Sequence, residues 1–140
     1  MNLSDLLKDK RIRKVPVDMK QATENLKAAE RDLKVAGETI KIDCDWAFVM
    51  AYNAMLHAAR ALLFADGYEP VGEEKHKIAV DYADVKLGEK YREKISLFDR
   101  MRKRRHVVIY EKMGAVSEHE AEFAVKTASD FVEKIKEKIK

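Results

Sequence analysis

Cysteine occurs once in these 140 residues, as Cys44, so no disulfide can close within the chain and no CxxC metal knuckle exists. Proline occurs twice and glycine five times, too few breakers for the many tight turns of a sandwich or barrel. None of the glycines falls in a GxGxxG or Walker pattern, which excludes a glycine loop that cradles phosphate. The four histidines are scattered, without a His-x3-His pair, so no zinc site and no cofactor are expected. Charge of one sign is missing too. Lys and Arg number 28 against 25 Asp and Glu, a net +3, which makes the placement of positive charge more informative than its total.

A long uninterrupted apolar run is also lacking. The stretch from Trp46 to Phe64 comes nearest, but Asn53, His57 and Arg60 break it. A membrane span needs about 20 apolar residues and tolerates central charge poorly. The stretch therefore predicts a buried central helix, and no membrane association is expected. The start, Met1-Asn2-Leu3-Ser4-Asp5, does not have the basic-then-apolar pattern of a secretory signal. With a single thiol, this predicts a cytoplasmic protein.

What the chain does contain is helix. Hydrophobic residues make up 46% and charged residues 38%, enough apolar content to bury a core and ample Ala, Leu, Lys and Glu. A short amphipathic segment (Leu3, Leu6, Leu7), with Ser4 as its cap, leads into the basic run Lys8–Lys14, which Pro16 ends. Residues 1–16 read as a solvated N-terminal arm on a single domain spanning 1–140. Apolar periodicity predicts a first long helix over Met19–Ala36, opened by Asp18 and Gln21 at capping-box spacing and stopped by Gly37. A second long helix runs over Asp43–Asp66. A weaker helix covers Glu74–Lys86, and Gly88 breaks it. Another begins near Lys90 and ends at Gly114; the last opens with Ser117 and Glu120, again at capping-box spacing, and carries Phe123, Ala124, Ala128, Phe131, Val132, Ile135 and Ile139. No strand-like alternation is evident. Short connections between long helices predict an all-α, up-and-down antiparallel bundle of four main helices, with a short N-terminal helix and a short extra helix.

The densest charge run is Arg100-Met101-Arg102-Lys103-Arg104-Arg105-His106. On a wheel of about 100° per residue with Phe98 at zero, Ile109 lies at about +20° and Met101 at about −60°. Arg105 falls at about −20° and Arg102 at about +40°, inside the apolar stripe. Arg100, Lys103 and Arg104 point elsewhere, toward solvent. A guanidinium on a buried face is costly unless it meets an anion or a partner surface. Two uses remain open: ion pairs to the last helix or to another subunit, or a ligand site. His106 and Tyr110, four apart, stack on the flank beside Arg105. Arg105, His106 and Tyr110 together offer a fixed cation, a group titrating near neutrality and a hydroxyl, a set suited to a phosphodiester. On the central helix, Asn53, His57 and Arg60 form one polar stripe, either a second wall of the same groove or a hydrogen-bonded packing edge. His76, between Lys75 and Lys77, reads as a surface histidine at a helix start, with contact to a ligand phosphate as its alternative use, and His119 reads as exposed.

The chain resembles the HEPN domain family. The likeness runs from the alanine-rich helix Asp45-Trp46-Ala47-Phe48 through Ala58-Ala59-Arg60-Ala61-Leu62-Leu63, past Gly67-Tyr68 and Glu73-Glu74-Lys75-His76-Lys77, to Arg105-His106-Val107-Val108-Ile109-Tyr110-Glu111. That family's motif is an Arg, a polar residue, a short spacer and a His. Arg105 and His106 match the first two positions, and Tyr110 stands where many members carry the His, as it does in a subgroup of the family. A second register pairs Arg100 with His106. The resemblance implies a homodimer with motif helices facing each other and an RNA or nucleotide ligand. It implies Arg105 on phosphate, His106 in acid–base or orienting roles and Tyr110 as a hydrogen-bonding group; Arg102 by its helical phase, and Asn53 and His57 by the polar stripe, are the further candidate ligand-binding residues. Two functions follow from it. One is nucleotide or RNA binding with toxin-type, metal-independent endoribonuclease activity, weakened here because a neutral tyrosine is a poor base near pH 7. The other is a non-catalytic scaffold, or the partner subunit of a minimal nucleotidyltransferase in a toxin–antitoxin pair.

Overall fold

The computed structural model describes residues 1–139, and it is an all-α bundle. Its helices are α1 (Leu3–Lys8), α2 (Met19–Thr39), α3 (Cys44–Asp66), α4 (Lys75–Leu87), α5 (Arg92–His106) and α6 (Glu118–Ile139). Two three-residue strands, β1 (Ile12–Lys14) and β2 (Tyr68–Pro70), pair antiparallel with Ile12 opposite Pro70. The central position of α3 follows from its composition. It packs against α2, α4, α5 and α6, and most of its residues are buried. This helix is long and apolar enough to cross a bilayer by length and composition, but its apolar surface is spent on the bundle core.

Local signals set most boundaries. The Asp18 carboxylate accepts the Gln21 N–H at 3.0 Å to open α2. Ser117 and Glu120 make a reciprocal box: the Ser117 hydroxyl accepts the Glu120 N–H, and the Glu120 carboxylate accepts the Ser117 N–H. Gly88 takes positive φ where α4 ends. The helix expected to run to Gly114 stops short of it: α5 ends at His106 and a wide turn at Glu111, with Lys112 already extended. Three further expectations are corrected. The cap of α1 is Asn2, in a box with Asp5, rather than Ser4. Gly37 does not stop α2, which runs on to Thr39; a Cβ there would meet nothing within 4 Å, so glycine on this open face costs some propensity and breaks nothing.

The third correction concerns residues 1–16, which are docked rather than solvated. Leu6 and Ile12 are buried, Arg11 bridges to Asp81 of α4 at 2.6 Å, and β1 continues the chain's contact with β2. Only Ile12 of the strand faces inward while Arg13 and Lys14 stay exposed, too short a pattern to read as a strand. Gly67 makes the junction possible. At φ +80° it ends α3, its N–H bonding the Leu63 carbonyl, while its own carbonyl accepts the Val15 N–H at 2.9 Å.

An aromatic ladder crosses the core and sets the relative placement of four helices. His76 of α4 lies 6.0 Å from Tyr52 of α3, Tyr52 5.6 Å from Phe98 of α5, and Phe98 5.2 Å from Phe131 of α6, all tilted. Beyond His106 the chain makes one wide turn through Glu111, in which the Lys112 N–H reaches the Val107 carbonyl five residues back at 2.9 Å. Asp45, at the start of α3, then holds the link to α6: its carboxylate accepts the Gly114 N–H at 2.6 Å and the Val116 N–H at 3.0 Å.

Candidate phosphate-binding site

The arginines of α5 separate into different environments. Arg102 donates from Nε to Asp99 one turn back, at 3.0 Å. Lys103 also approaches Asp99, at 3.4 Å, with its stem exposed. Arg104, expected in solvent, is half-buried instead: its guanidinium bonds Glu120 of α6 and the Ala115 carbonyl and lies over the Phe48 ring at 5.4 Å. This arginine acts as a structural clamp between α5, α3 and α6. The wheel missed it because Phe48 extends the buried surface around the flank of α5.

Arg105 differs from all of these. Its guanidinium sits 6.0 Å from the centre of the Tyr52 ring, and its Nε is sealed from solvent with no hydrogen-bond partner among the described residues. An unpaired buried donor is rare and costly, and it normally marks a group held for something else. Arg105 thus faces α3 from the apolar side of α5, as its helical phase predicts. His106 and Tyr110 are exposed and stack on each other, centroids 5.1 Å apart, with Tyr110 70% accessible. They form a rim, whereas Arg105 forms a floor.

The polar stripe of α3 divides. His57 donates from Nδ1 to Asp32 of α2 at 2.8 Å, and that carboxylate is almost fully buried. This pair satisfies both groups and ties α2 to α3. Asn53 donates from its side-chain amide to the Met50 sulfur, at 4.0 Å. Arg60 lies beside Lys75 around a cavity of about 200 Å³ that Phe64 and Tyr68 also line.

His76 is the residue that sequence reasoning set aside. Its Nδ1 is hydrogen-bonded to the Tyr52 hydroxyl at 2.9 Å. Burial pushes the Tyr52 phenol up to about 12, against the opposing pull of the Arg105, Arg102 and Arg60 charges, so it stays protonated. Burial, then the charges of Arg60, Arg105 and Arg102, hold His76 below the usual histidine range. Flanking lysines hid it, since Lys-His-Lys reads as a surface turn. The available signal was Tyr52 itself, a hydroxyl on an otherwise apolar face that needs a partner.

Near the motif, a second cavity of about 400 Å³ is lined by Trp46, Val49, Ile109, Tyr110 and Met113, with Trp46, Tyr110 and Met113 exposed. Among the described residues, no group of three His, Cys, Asp or Glu side chains is placed to hold a metal ion.

No curated protein is similar enough to this chain to count as a match. The sequence does match the HEPN domain over residues 18–139, from the cap of α2 to the end of α6, and this span holds every residue of the site. With that match and a helical bundle built around an alanine-rich central helix, the chain belongs to the HEPN family.

Proposed function

We propose that this protein binds RNA or a nucleotide through Arg105, in a groove completed by a second copy of the chain, and acts in the cytoplasm. The observation that carries this reading is the Arg105 side chain: half-buried against Tyr52, with no carboxylate partner and an unpaired Nε among the described residues. A phosphate supplies the anion that such a guanidinium lacks, in a site of lowered dielectric where the interaction is strong. His106 and Tyr110 on the rim would contact sugar or base edges, and Asn53 with Arg102 would extend the wall. His57, committed to Asp32, contributes by holding α3 in place. The exposed Trp46, Tyr110 and Met113 beside the motif support a facing protomer, since clustered large apolar side chains on one surface mark an interaction site.

Cleavage, where it occurs, would be slow. In such a step the 2′-oxygen bonds to phosphorus as the bond to the 5′-oxygen breaks; Arg105 carries the added oxyanion charge, His106 takes the 2′ proton and solvent protonates the leaving oxygen. The same exposed apolar surface favours a second reading, a non-catalytic scaffold or the partner subunit of a nucleotidyltransferase, with Trp46 and Met113 meeting the other protein.

Incubation of the protein and its Arg105→Ala variant with single-stranded RNA and EDTA separates the two. RNA binding or EDTA-resistant cleavage that disappears in the variant supports the first reading. Failure of both proteins to bind or cut RNA gives the scaffold reading the field.

A further inference from the structure

The cations around Tyr52 are unevenly matched to acids. Arg102, Lys77 and Lys103 all converge on one carboxylate, Asp99. Lys77 also pairs with Asp81 at 3.1 Å. Neither Arg60 nor Arg105 has a carboxylate partner among the described residues. The charges of both guanidiniums act on His76, the second residue of α4, which is anchored by its hydrogen bond to Tyr52, the ring that Arg105 also faces. Its Nε2 has no protein partner among the described residues, and no side chain caps the helix start beside it. Unbalanced positive charge, a ring nitrogen left open and uncapped amide groups meet in one place.

We propose that Arg60, His76 and Arg105 form a phosphate seat on the Tyr52 side of the motif, extending the RNA or nucleotide site from α5 across α3 to the start of α4. The proposal rests on the reading of Arg105 as a phosphate ligand and adds a second anchoring point to it. Tyr52 fixes the imidazole. When His76 is protonated, Nδ1–H donates to the Tyr52 oxygen and Nε2–H is left for a phosphate oxygen. In the free protein burial, and then the charges of Arg60, Arg105 and Arg102, disfavour the protonated ring. An arriving phosphate offsets those charges, so the ring takes up a proton as the ligand binds. The groups facing His76 are Tyr52 and Arg60 of α3, and Arg102, Arg105 and Asp99 of α5. On its own helix and the preceding turn they are Lys75, Lys77 and the exposed Glu73 and Glu74. Asp99 is already shared among three cations, and Asp81 is engaged by Lys77 and Arg11, so the balance at His76 is positive.

The test uses the full chain with short oligoadenylate RNA, followed by fluorescence anisotropy and by the imidazole NMR signals of His76. Affinity rises as pH falls from about 8 to about 6, and the His76 resonance titrates at higher pH with RNA bound than without. His76→Ala weakens binding about tenfold at the acidic end and flattens the pH profile. Arg60→Gln, a half-exposed position whose change leaves the core intact, gives a similar loss. His119→Ala, exposed in the first turn of α6, changes nothing. If Arg105→Ala abolishes binding while His76→Ala and Arg60→Gln bind as the unaltered chain does, the seat is refuted and the Arg105 reading stands. Should the unaltered chain bind no RNA at either pH, both fall together.

Discussion

Arg105 carries two opposed demands. Its charge is held against an aromatic ring with one donor unpaired, a cost to the folded state, and the same arrangement keeps the guanidinium ready for an anion. Arg105→Leu should therefore raise stability by about 1 kcal/mol in urea unfolding while eliminating RNA binding. A destabilised Leu variant would show that the guanidinium is an integral part of the core. Tyr110 offers the complementary experiment. Exposed and stacked on His106, it has room for an imidazole. Tyr110→His replaces a phenol with an imidazole, a side chain suited to proton transfer near neutral pH, and should raise EDTA-resistant RNA cleavage about a hundredfold over the starting chain. An unchanged rate would mean that the proton-transfer step is not limited at this position. The phase of Arg105 was legible from spacing alone, because Phe98, Met101 and Ile109 define the buried stripe within one helix. The use of Arg104 was not, since Phe48 and Glu120, its partners, belong to other helices.

Helix ends and connections depend on a few polar groups. Asp45 is the main one: a single buried carboxylate at the start of α3 satisfies two amide groups of the segment between the wide turn and α6. Asp45→Ala leaves both N–H groups unpaired in a covered site and should cost about 2–4 kcal/mol, read as a lowered urea midpoint at constant m-value. Because that segment follows directly after Tyr110, the variant should also show faster hydrogen exchange through residues 112–116, with α2 unaffected. Gly67 makes an independent case. A Cβ there would sit 2.8 Å from the Val15 carbonyl oxygen at a φ of +80°, so Gly67→Ala should destabilise by about 1–3 kcal/mol and loosen the pairing of β1 with β2. The glycine signal at this turn was readable in sequence. Its second role, as a hydrogen-bond acceptor for the N-terminal segment, depended on a strand too short to announce itself.

Three titrating groups give the protein as a unit a common response to acid. Burial and arginine charge hold His76 below its ordinary value. Burial alone would raise Asp99, but the hydrogen bond from Arg102 and the charges of Lys77 and Arg102 bring it below the usual carboxylate range. The Arg104 hydrogen bond, against a smaller desolvation effect, does the same for Glu120. In each case the unfolded chain binds the proton more readily. Stability is therefore complete above the unfolded values and declines as pH falls, first below about 6.5 through His76 and then below about 4 through the carboxylates. Thermal unfolding at stepped pH should show this two-stage fall, with the first stage reduced in His76→Gln. A melting temperature that rose on acidification from neutrality would contradict it.

Sequence was sufficient for whatever neighbours along the chain decide. The helical class, the Asp18–Gln21 and Ser117–Glu120 starts, the break at Gly88 and the inward phase of Arg105 all depend on groups within about one or two turns of each other. Tertiary structure decided the rest, because the responsible contacts join distant positions. His76 meets Tyr52 across 24 residues, and Asp45 meets Gly114 across 69. Hydrophobic periodicity says which face of a helix is buried but not which helix will cover it. Only the packing of α4 and α5 around Tyr52 turned a histidine among lysines into part of a charged pocket.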